Sequence, residues 1–411
     1  MVNFERYTLA NGLTVILYPD LNVPSAVINV LYGVGSRDES EEMTGFAHLF
    51  EHLMFGGSKN IPIYDEPLQR VGGENNAFTS SDITNYYLTI PAANIETGIW
   101  LEADRMLQLA FSQESLEIQQ KVVIEEFNQR YLNQPYGDVW LHLWPLSYQK
   151  HPYRWPTIGS TIKHIEDAKL EDVKAFFNKH YSPANAVLVV AGNFEHSQVK
   201  QLIDNHFSFI PNMYTSNGRL PQESEQVEAR RKIIEQAVPL DALYQTYHIP
   251  GRKEDSFMIY DILSDILGRG KQSYLYNLLV VKNKIFTSMV CYHTGTADTA
   301  LLVIEGKVNK GVDLEDAELA LQSALESFQL EGITTQALEQ ARNQALSTHA
   351  FSRLEVLNLA MQLAYYEWLG DADQINTEEK LIEEVTLEQV VRAAQTTLKV
   401  SRSNTLLYKA V

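Results

Sequence analysis

The order of predicted helices and strands runs twice along this chain, and this repeat constrains the fold more than any other feature. In the first half, alternating apolar residues predict strands at 13–18 and 25–33, followed by a helix within 44–57. After a polar segment at 212–232, two strands again precede a helix, over 254–268. A repeated order of this kind predicts a degenerate duplication of one folding unit.

The length of the chain agrees with two units. At 411 residues it is too long for one ordinary hydrophobic core and suits about two domains of roughly 200 residues. The segment 212–232 contains Gly218 and Pro221 and has no sustained apolar period, so we predict a linker there. We therefore expect an α+β fold of two homologous domains, 1–211 and 233–411, each a mainly antiparallel sheet packed with helices.

The charge balance disfavours several classes of partner. Lys and Arg number 33 against 52 Asp and Glu, which gives a formal net charge of −19. Nucleic acid and anionic membranes would be repelled, whereas neutral or basic polypeptides are easier partners. No apolar run reaches the roughly 18 residues that span a bilayer. We expect neither nucleic acid nor membrane as a partner.

The cysteine content and the first residues bear on the compartment. Cys291 is the only cysteine, so the chain has no intrachain disulfide that would need an oxidising compartment. The start of the sequence lacks the features of a signal peptide and alternates like a β-hairpin turning at Asn11-Gly12. We expect a cytoplasmic location, or a periplasmic one if a leader has been removed.

The helix within 44–57 carries the stretch HLFEH, for which we predict Thr44 as the N-cap. His48 and His52 are four residues apart and share one helix face, so both can offer imidazole nitrogens to one metal ion, with Glu51 beside it. The alternative is a set of polar residues with satisfied hydrogen bonds on an ordinary amphipathic helix.

The repeat provides an internal comparison for this stretch. When Phe46 is matched to Phe257, the three polar residues fall on aliphatic ones: Ile259, Ile262 and Leu263. The helix evidently accepts aliphatic side chains at these positions. The contrast favours a function for the polar set in the first half.

A catalytic zinc site needs a third protein ligand. The helix predicted over 114–132 offers two adjacent carboxylates, Glu125 and Glu126. Glu125 has polar neighbours one turn away on both sides, which predicts a solvated position. Glu126 follows Val122 and Val123 by one turn, so we place it at the edge of an apolar face, where a carboxylate needs a partner such as a cation.

These residues resemble the inverted zinc motif of the pitrilysin/insulinase family, H-x-x-E-H followed by a glutamate some 70–80 residues later. In this chain Glu126 lies 74 positions after His52. The resemblance covers nearly the whole chain and includes NGLTVIL (11–17), GSRDE (35–39), NAFTSSDITNYY (76–87) and YSPANAVLVVAGNF (181–194). The family includes the mitochondrial processing peptidase.

The resemblance implies roles for the motif residues. His48, His52 and Glu126 would bind Zn²⁺, and Glu51 would be the general base. It also implies that the two domains enclose a chamber. The implied reaction is zinc-dependent endopeptidase hydrolysis of unfolded peptides.

Two further features follow from the same resemblance. Asn76, Ala77, Phe78 and Thr79 resemble the edge strand with which the family pairs an extended substrate, a case of β-augmentation. Seven residues before the third ligand, where the family usually has a glutamate, this chain has Gln119. Gln119 could support the site by a hydrogen bond but could not act as an acid or base.

The second half departs from the family. Active members or their partners carry an Arg and a Tyr seven residues apart that hold the scissile carbonyl, and Val280 and Thr287 occupy those positions here. Neither can donate a charge-assisted hydrogen bond to a developing oxyanion, although Tyr274 or Tyr276 could substitute. We therefore expect the zinc-bearing subunit of a two-chain peptidase, a dimer whose homologous partner supplies the Arg/Tyr pair.

Two other interpretations stay open. The chain could be a non-catalytic core or assembly subunit of the same fold that retains zinc. It could also be a peptide-binding shell, whose function a Glu51→Gln change would leave untouched.

Overall fold

A computed structural model describes residues 1–216 and 218–411 of the chain. It contains eleven strands within these residues: β1 (Glu5–Thr8), β2 (Thr14–Pro19), β3 (Ser25–Tyr32), β4 (Glu74–Thr79), β5 (Thr84–Pro91), β6 (Ala186–Gly192), β7 (Arg230–Gln236), β8 (Ala242–Pro250), β9 (Phe286–His293), β10 (Thr299–Val308) and β11 (Asn404–Ala410). The predicted turn at Asn11-Gly12 joins β1 to β2, and Gly12 adopts a φ of 93° that favours glycine.

The α-helices of the described residues are α1 (Phe46–Leu53), α2 (Asp65–Arg70), α3 (Ile95–Leu107), α4 (Gln113–Phe127), α5 (Val139–Ser147), α6 (Ile162–Glu166), α7 (Leu170–His180), α8 (His196–Phe207), α9 (Phe257–Gly268), α10 (Leu314–Ser327), α11 (Thr335–Ser352), α12 (Val356–Leu369), α13 (Glu378–Glu384) and α14 (Leu387–Thr397). None of them is long and apolar enough to cross a membrane.

The contacts divide the chain into two compact units. Unit 1 consists of Met1–Gln129, Trp155–Leu220 and Phe351–Asn376. Unit 2 consists of Arg130–Arg154, Pro221–Ala350 and Thr377–Val411. Each unit contains one sheet and the helices that cover it.

The sheet of unit 1 has the strand order β1-β2-β6-β3-β5-β4. Strands β2 and β6 are parallel, and the other neighbouring pairs are antiparallel. Successive residues of a strand face opposite sides, so Val27 and Leu31 contact α12 on one face of β3, whereas Ile28 lies near Gly98 of α3 on the other. Strand β4 is at the edge of this sheet.

The sheet of unit 2 has the order β7-β11-β8-β10-β9, with β7 and β11 parallel and the other pairs antiparallel. Its main core lies between the sheet and helices that include α9, α10 and α14. On the other face, Val139 and Leu143 of α5 pack against Tyr244 and Leu406. Cys291 is buried on β9.

The two sheets confirm the predicted duplication. The order β2-β6-β3-β5-β4 in unit 1 corresponds strand for strand to β7-β11-β8-β10-β9 in unit 2, including the position of the parallel pair. Helices α1 and α9 follow β3 and β8, which occupy equivalent positions. The α+β prediction is also confirmed.

The contacts do not follow the predicted domain bounds of 1–211 and 233–411. Helix α5 belongs to unit 2 although it lies in the first half of the sequence, and α12 belongs to unit 1 although it lies in the second half. Strand β7 also begins at Arg230, inside the predicted linker 212–232. The strand itself was predicted, but its first residues, Arg230 and Arg231, are charged and show no apolar alternation, so the pattern did not mark its start.

Candidate metal centre

Helix α1 separates its residues into two groups. Its buried side chains are Phe46, Ala47, Leu49, Phe50 and Leu53. The side chains of His48, Glu51 and His52 are only partly buried. A face of this short helix therefore presents three functional groups that remain within reach of a ligand.

The start of α1 differs from the prediction. Gly45 is the N-cap, with a φ of 87°, and it has no side chain to cap the helix. The carboxylate of Glu39 accepts hydrogen bonds from the amides of Gly45, at 2.9 Å, and Ala47, at 2.7 Å. The predicted cap, Thr44, is instead buried, and its hydroxyl bonds His164 Nδ1 at 2.8 Å.

Three predicted ligands from two helices come together. Glu126 Oε2, on α4, lies 3.6 Å from His48 Nε2 and 3.4 Å from His52 Nε2. The two imidazole rings are perpendicular, with centroids 4.9 Å apart. Among residues 1–216 and 218–411, these form the one group of three His, Cys, Asp or Glu side chains whose ligand atoms lie within 4.8 Å of one another.

This arrangement fits a zinc ion. Two ligands that each lie about 2.0–2.1 Å from a tetrahedral zinc ion are roughly 3.3–3.5 Å apart, which agrees with the nitrogen-to-oxygen distances found here. Two imidazole nitrogens and one carboxylate oxygen are a ligand set of catalytic zinc sites, in which a fourth position stays open. The fit concerns both distance and donor type.

The neighbouring glutamate of α4 lies elsewhere. Glu125 is exposed and accepts a hydrogen bond of 2.9 Å from Gln129, so the prediction that separated it from Glu126 agrees with the structure. Val123 is buried as expected, but Val122 is 44% exposed, so the apolar face of α4 is narrower than predicted. Gln119 is partly buried two turns before Glu126, and its side chain makes no hydrogen bond within the described residues.

Glu51 is next to the cluster and has a defined neighbour. The hydroxyl of Thr79, the last residue of β4, donates a hydrogen bond of 2.5 Å to Glu51 Oε2. Buried Tyr86 and Tyr181 are also close, and the negative charge of Glu51 adds to burial, the main cause, in raising the pKa of both phenols. The sequence alone did not indicate any of these contacts.

A buried ion pair lies against Tyr86. Arg105 is 1% exposed, and its Nη2 lies 2.6 Å from Glu102 Oε2. The guanidinium also lies 4.4 Å from the ring centroid of Tyr86. Sequence reasoning missed this pair, although the i, i+3 spacing of Glu102 and Arg105 was a signal for it.

The predicted substrate strand is confirmed as an edge strand but not as a binding site. Along β4, Ala77 and Thr79 are partly buried, whereas Asn76 and Phe78 are exposed. Strand β4 pairs with β5 on one side, and no strand of the described residues pairs with its other side. Its free backbone groups can therefore accept an added strand.

The positions that replace the Arg/Tyr pair lie in unit 2. Val280 is partly buried against the core, in a π-helical segment at 276–282. Thr287 is exposed on β9, and its hydroxyl donates to Lys307 O at 3.1 Å. Tyr274 packs on Phe328, with ring centroids 5.0 Å apart, which is a packing contact.

Comparisons with known proteins identify the family of this chain. A family model described as "Insulinase (Peptidase family M16)" matches residues 14–157, and one described as "Peptidase M16 inactive domain" matches residues 167–345. The chain belongs to this peptidase family M16, the pitrilysin/insulinase family that the sequence motifs predicted.

Individual relatives extend the similarity over the whole chain. The chain is 28% identical over 411 residues to the zinc protease PqqE of Helicobacter pylori, covering 98% of this chain and 92% of that protein. It is 27% identical over 344 residues to the uncharacterized zinc protease YmxG of Bacillus subtilis, covering 83% and 82%. The crystal structure of a protease from Helicobacter pylori matches 100% of both chains, with a TM-score of 0.92 and 28% identity.

Proposed function

We propose that this protein is a zinc-dependent endopeptidase that hydrolyses unfolded peptides. The observation that carries the proposal is the position of Glu126 Oε2 at 3.4 and 3.6 Å from the Nε2 atoms of His52 and His48. These separations, and the combination of two imidazole nitrogens with one carboxylate oxygen, are those of a catalytic zinc site. Glu51 on the same helix completes the set of groups that peptide hydrolysis requires.

Each part of the site has a separate role in this mechanism. His48, His52 and Glu126 would hold zinc, which polarises a peptide carbonyl and lowers the pKa of a water molecule to about 7 when bound. Glu51 takes the proton of the attacking water and transfers it to the leaving amine. The free edge of β4 holds the peptide in an extended conformation, which favours unfolded substrates.

The proposal includes a second chain. Val280 and Thr287 offer no charged or phenolic donor to the scissile carbonyl, and Thr287 already donates to Lys307 O. A homologous partner that carries an Arg/Tyr pair would supply this stabilisation of the developing oxyanion. On this basis the chain alone has weak peptidase activity, and adding the partner raises it.

A second candidate is a non-catalytic core subunit that retains zinc. It is favoured by the model described as an inactive domain, which matches residues 167–345, and by Val280 and Thr287 within that range. The intact set of His48, Glu51, His52 and Glu126 favours the peptidase, because a subunit that only assembles has no need of a general base.

The test is hydrolysis of a mixed pool of unfolded peptides by the zinc-loaded chain beside its Glu51→Gln and Glu125→Gln variants. The peptidase proposal expects cleavage by the wild type and by Glu125→Gln, whose substituted carboxylate is exposed. It expects a loss of more than about 100-fold for Glu51→Gln. Cleavage that persists in Glu51→Gln contradicts the mechanism, and bound zinc without cleavage even after a homologous partner is added favours the core subunit.

A further inference from the structure

Thr79 occupies an unusual place between the edge strand and the proposed base. Its hydroxyl donates to Glu51 Oε2 at 2.5 Å, a length typical of hydrogen bonds from a hydroxyl to a carboxylate. Sequence comparison assigned Thr79 only to the strand that pairs with substrate. The structure gives it a partner on α1 instead.

The position of the Thr79 hydroxyl is fixed by its strand. Thr79 lies opposite Thr84 in the β4–β5 pair, and the Thr84 hydroxyl donates to Val34 O at 2.9 Å. The chain turns directly after Thr79, where the amide of Ser80 donates to Ile83 O at 2.8 Å. Because Thr79 has a β-branched side chain, few rotamers are open to it. The donor is therefore held rigidly.

The carboxylate that receives this bond has more freedom. Glu51 is partly buried, on a helix of eight residues, and its side chain has several rotatable bonds. The buried phenols of Tyr86 and Tyr181 are close enough for the charge of Glu51 to affect both. A donor held by the strand therefore limits the orientations that the Glu51 carboxylate can adopt.

We propose that Thr79 is a positioning residue, which holds the Glu51 carboxylate in the orientation that proton transfer requires. The inference rests on the proposed function, since it assigns Thr79 to the same reaction. It also connects two parts of the site, because the strand whose outer edge binds the peptide ends in the residue that orients the base. A displacement of about 1 Å at a catalytic group can cost about 100-fold in rate.

The kinetic test compares Thr79→Val, which removes the hydroxyl and keeps the shape, with Thr79→Ser, which keeps the hydroxyl. Thr79→Val is expected to lower kcat by about 10- to 100-fold, with KM changed by less than about 2-fold and zinc content unchanged. Thr79→Ser should retain most of kcat. The matched control is Thr89→Val on β5, since Thr89 is partly buried and its hydroxyl has no hydrogen bond within the described residues.

A second readout does not require activity. In a thermal double-mutant cycle, Thr79→Val should lower Tm in the wild-type background and change it much less in a Glu51→Ala background, because the bond is already absent there. Equal Tm shifts in both backgrounds would overturn the proposal. In the kinetic test, an unchanged kcat for Thr79→Val would also overturn it, and so would a loss of bound zinc together with the fall in kcat. If Glu51→Gln cleaves as well as the wild type, the proposed function fails, while the cycle still reports on the contact between Thr79 and Glu51.

Discussion

The carboxylate of Glu39 accepts a hydrogen bond of 2.7 Å from the backbone amide of Ala47, and so it caps the helix that carries the proposed zinc ligands. The first amides of a helix have no partner within the helix, and the N-cap Gly45 has no side chain to offer one. Glu39 fills this role from outside the helix. The GSRDE motif therefore has a structural reason, since its last residue fixes the start of α1.

Replacing Glu39 should weaken the fold and the zinc site together. In Glu39→Ala two buried amides lose their acceptor, so we expect the free energy of unfolding to fall by about 1–3 kcal/mol. Burial raises the pKa of Glu39 well above its usual range, although the amides oppose this shift, so a neutral Gln should be tolerated better than Ala. Urea unfolding and zinc titration measure both effects, and Glu42→Ala, at an exposed position, is the control. Equal stability of Glu39→Ala and Glu42→Ala would contradict the capping role.

Zinc binding should distinguish the two adjacent glutamates of α4. Glu126→Gln removes a charged ligand, so we expect zinc affinity to fall by more than about 100-fold. Loss of a residue that only supports a ligand lowers metal affinity by about 10- to 100-fold. Glu125→Gln should bind zinc like the wild type, because its carboxylate is exposed and bonded to Gln129. Zinc content after dialysis against a weak chelator measures the difference. Similar zinc retention in both variants would remove Glu126 from the ligand set.

Asp265 on α9 should make stability depend on pH. Burial and then the neighbouring Asp261 raise the pKa of Asp265 to about 6, although Arg269, at 3.0 Å, opposes the shift. Because this folded-state pKa lies above the usual value of 3.8, the contribution of Asp265 to stability is complete below about pH 4 and is lost as the pH rises through 6. Asp265→Asn should therefore gain stability relative to the wild type between about pH 4 and pH 7. Urea unfolding across this range measures the difference.

A neighbouring residue provides a control of opposite sign. Burial opposes ionisation of Asp261, but the hydrogen bond and charge of His293, 2.8 Å away, lower its pKa. The stabilisation from Asp261 is therefore present above the usual pKa and is lost as the pH falls through the lowered one. Asp261→Asn should lose stability relative to the wild type at neutral pH. If the stability difference from the wild type changed with pH in the same direction for both variants, the assignment of opposite pKa shifts to Asp265 and Asp261 would be contradicted.

Most of the candidate site could be predicted because its residues follow short, regular spacings within single helices. His48 and His52 share a helix face by their i, i+4 spacing, and the apolar periodicity of α4 distinguished Glu126 from Glu125. The contacts of Glu39 with Ala47 and of Thr79 with Glu51 depend on how separate elements pack, so no local pattern revealed them. The same reason applies to α5 and α12, whose apolar faces predict burial but not which sheet buries them.

Helix α5 packs in unit 2 and helix α12 packs in unit 1, so each unit needs a helix from the other half of the sequence. We therefore predict that neither half of the chain folds alone. Without α12, the sheet of unit 1 loses the contacts of Leu359, Leu363 and Tyr366, each of which contributes about 1.5–3 kcal/mol. Their sum is comparable with the whole stability of a domain, about 5–15 kcal/mol. Fragments 1–211 and 233–411 should each lack near-ultraviolet circular dichroism and a cooperative unfolding transition, and should recover both when expressed together. As a control, cutting the intact chain at a protease site inserted after Ser216 should leave the two pieces associated and folded. A cooperative transition in either isolated fragment would contradict the prediction, because it would show that the fragment does not need the helix from the other half.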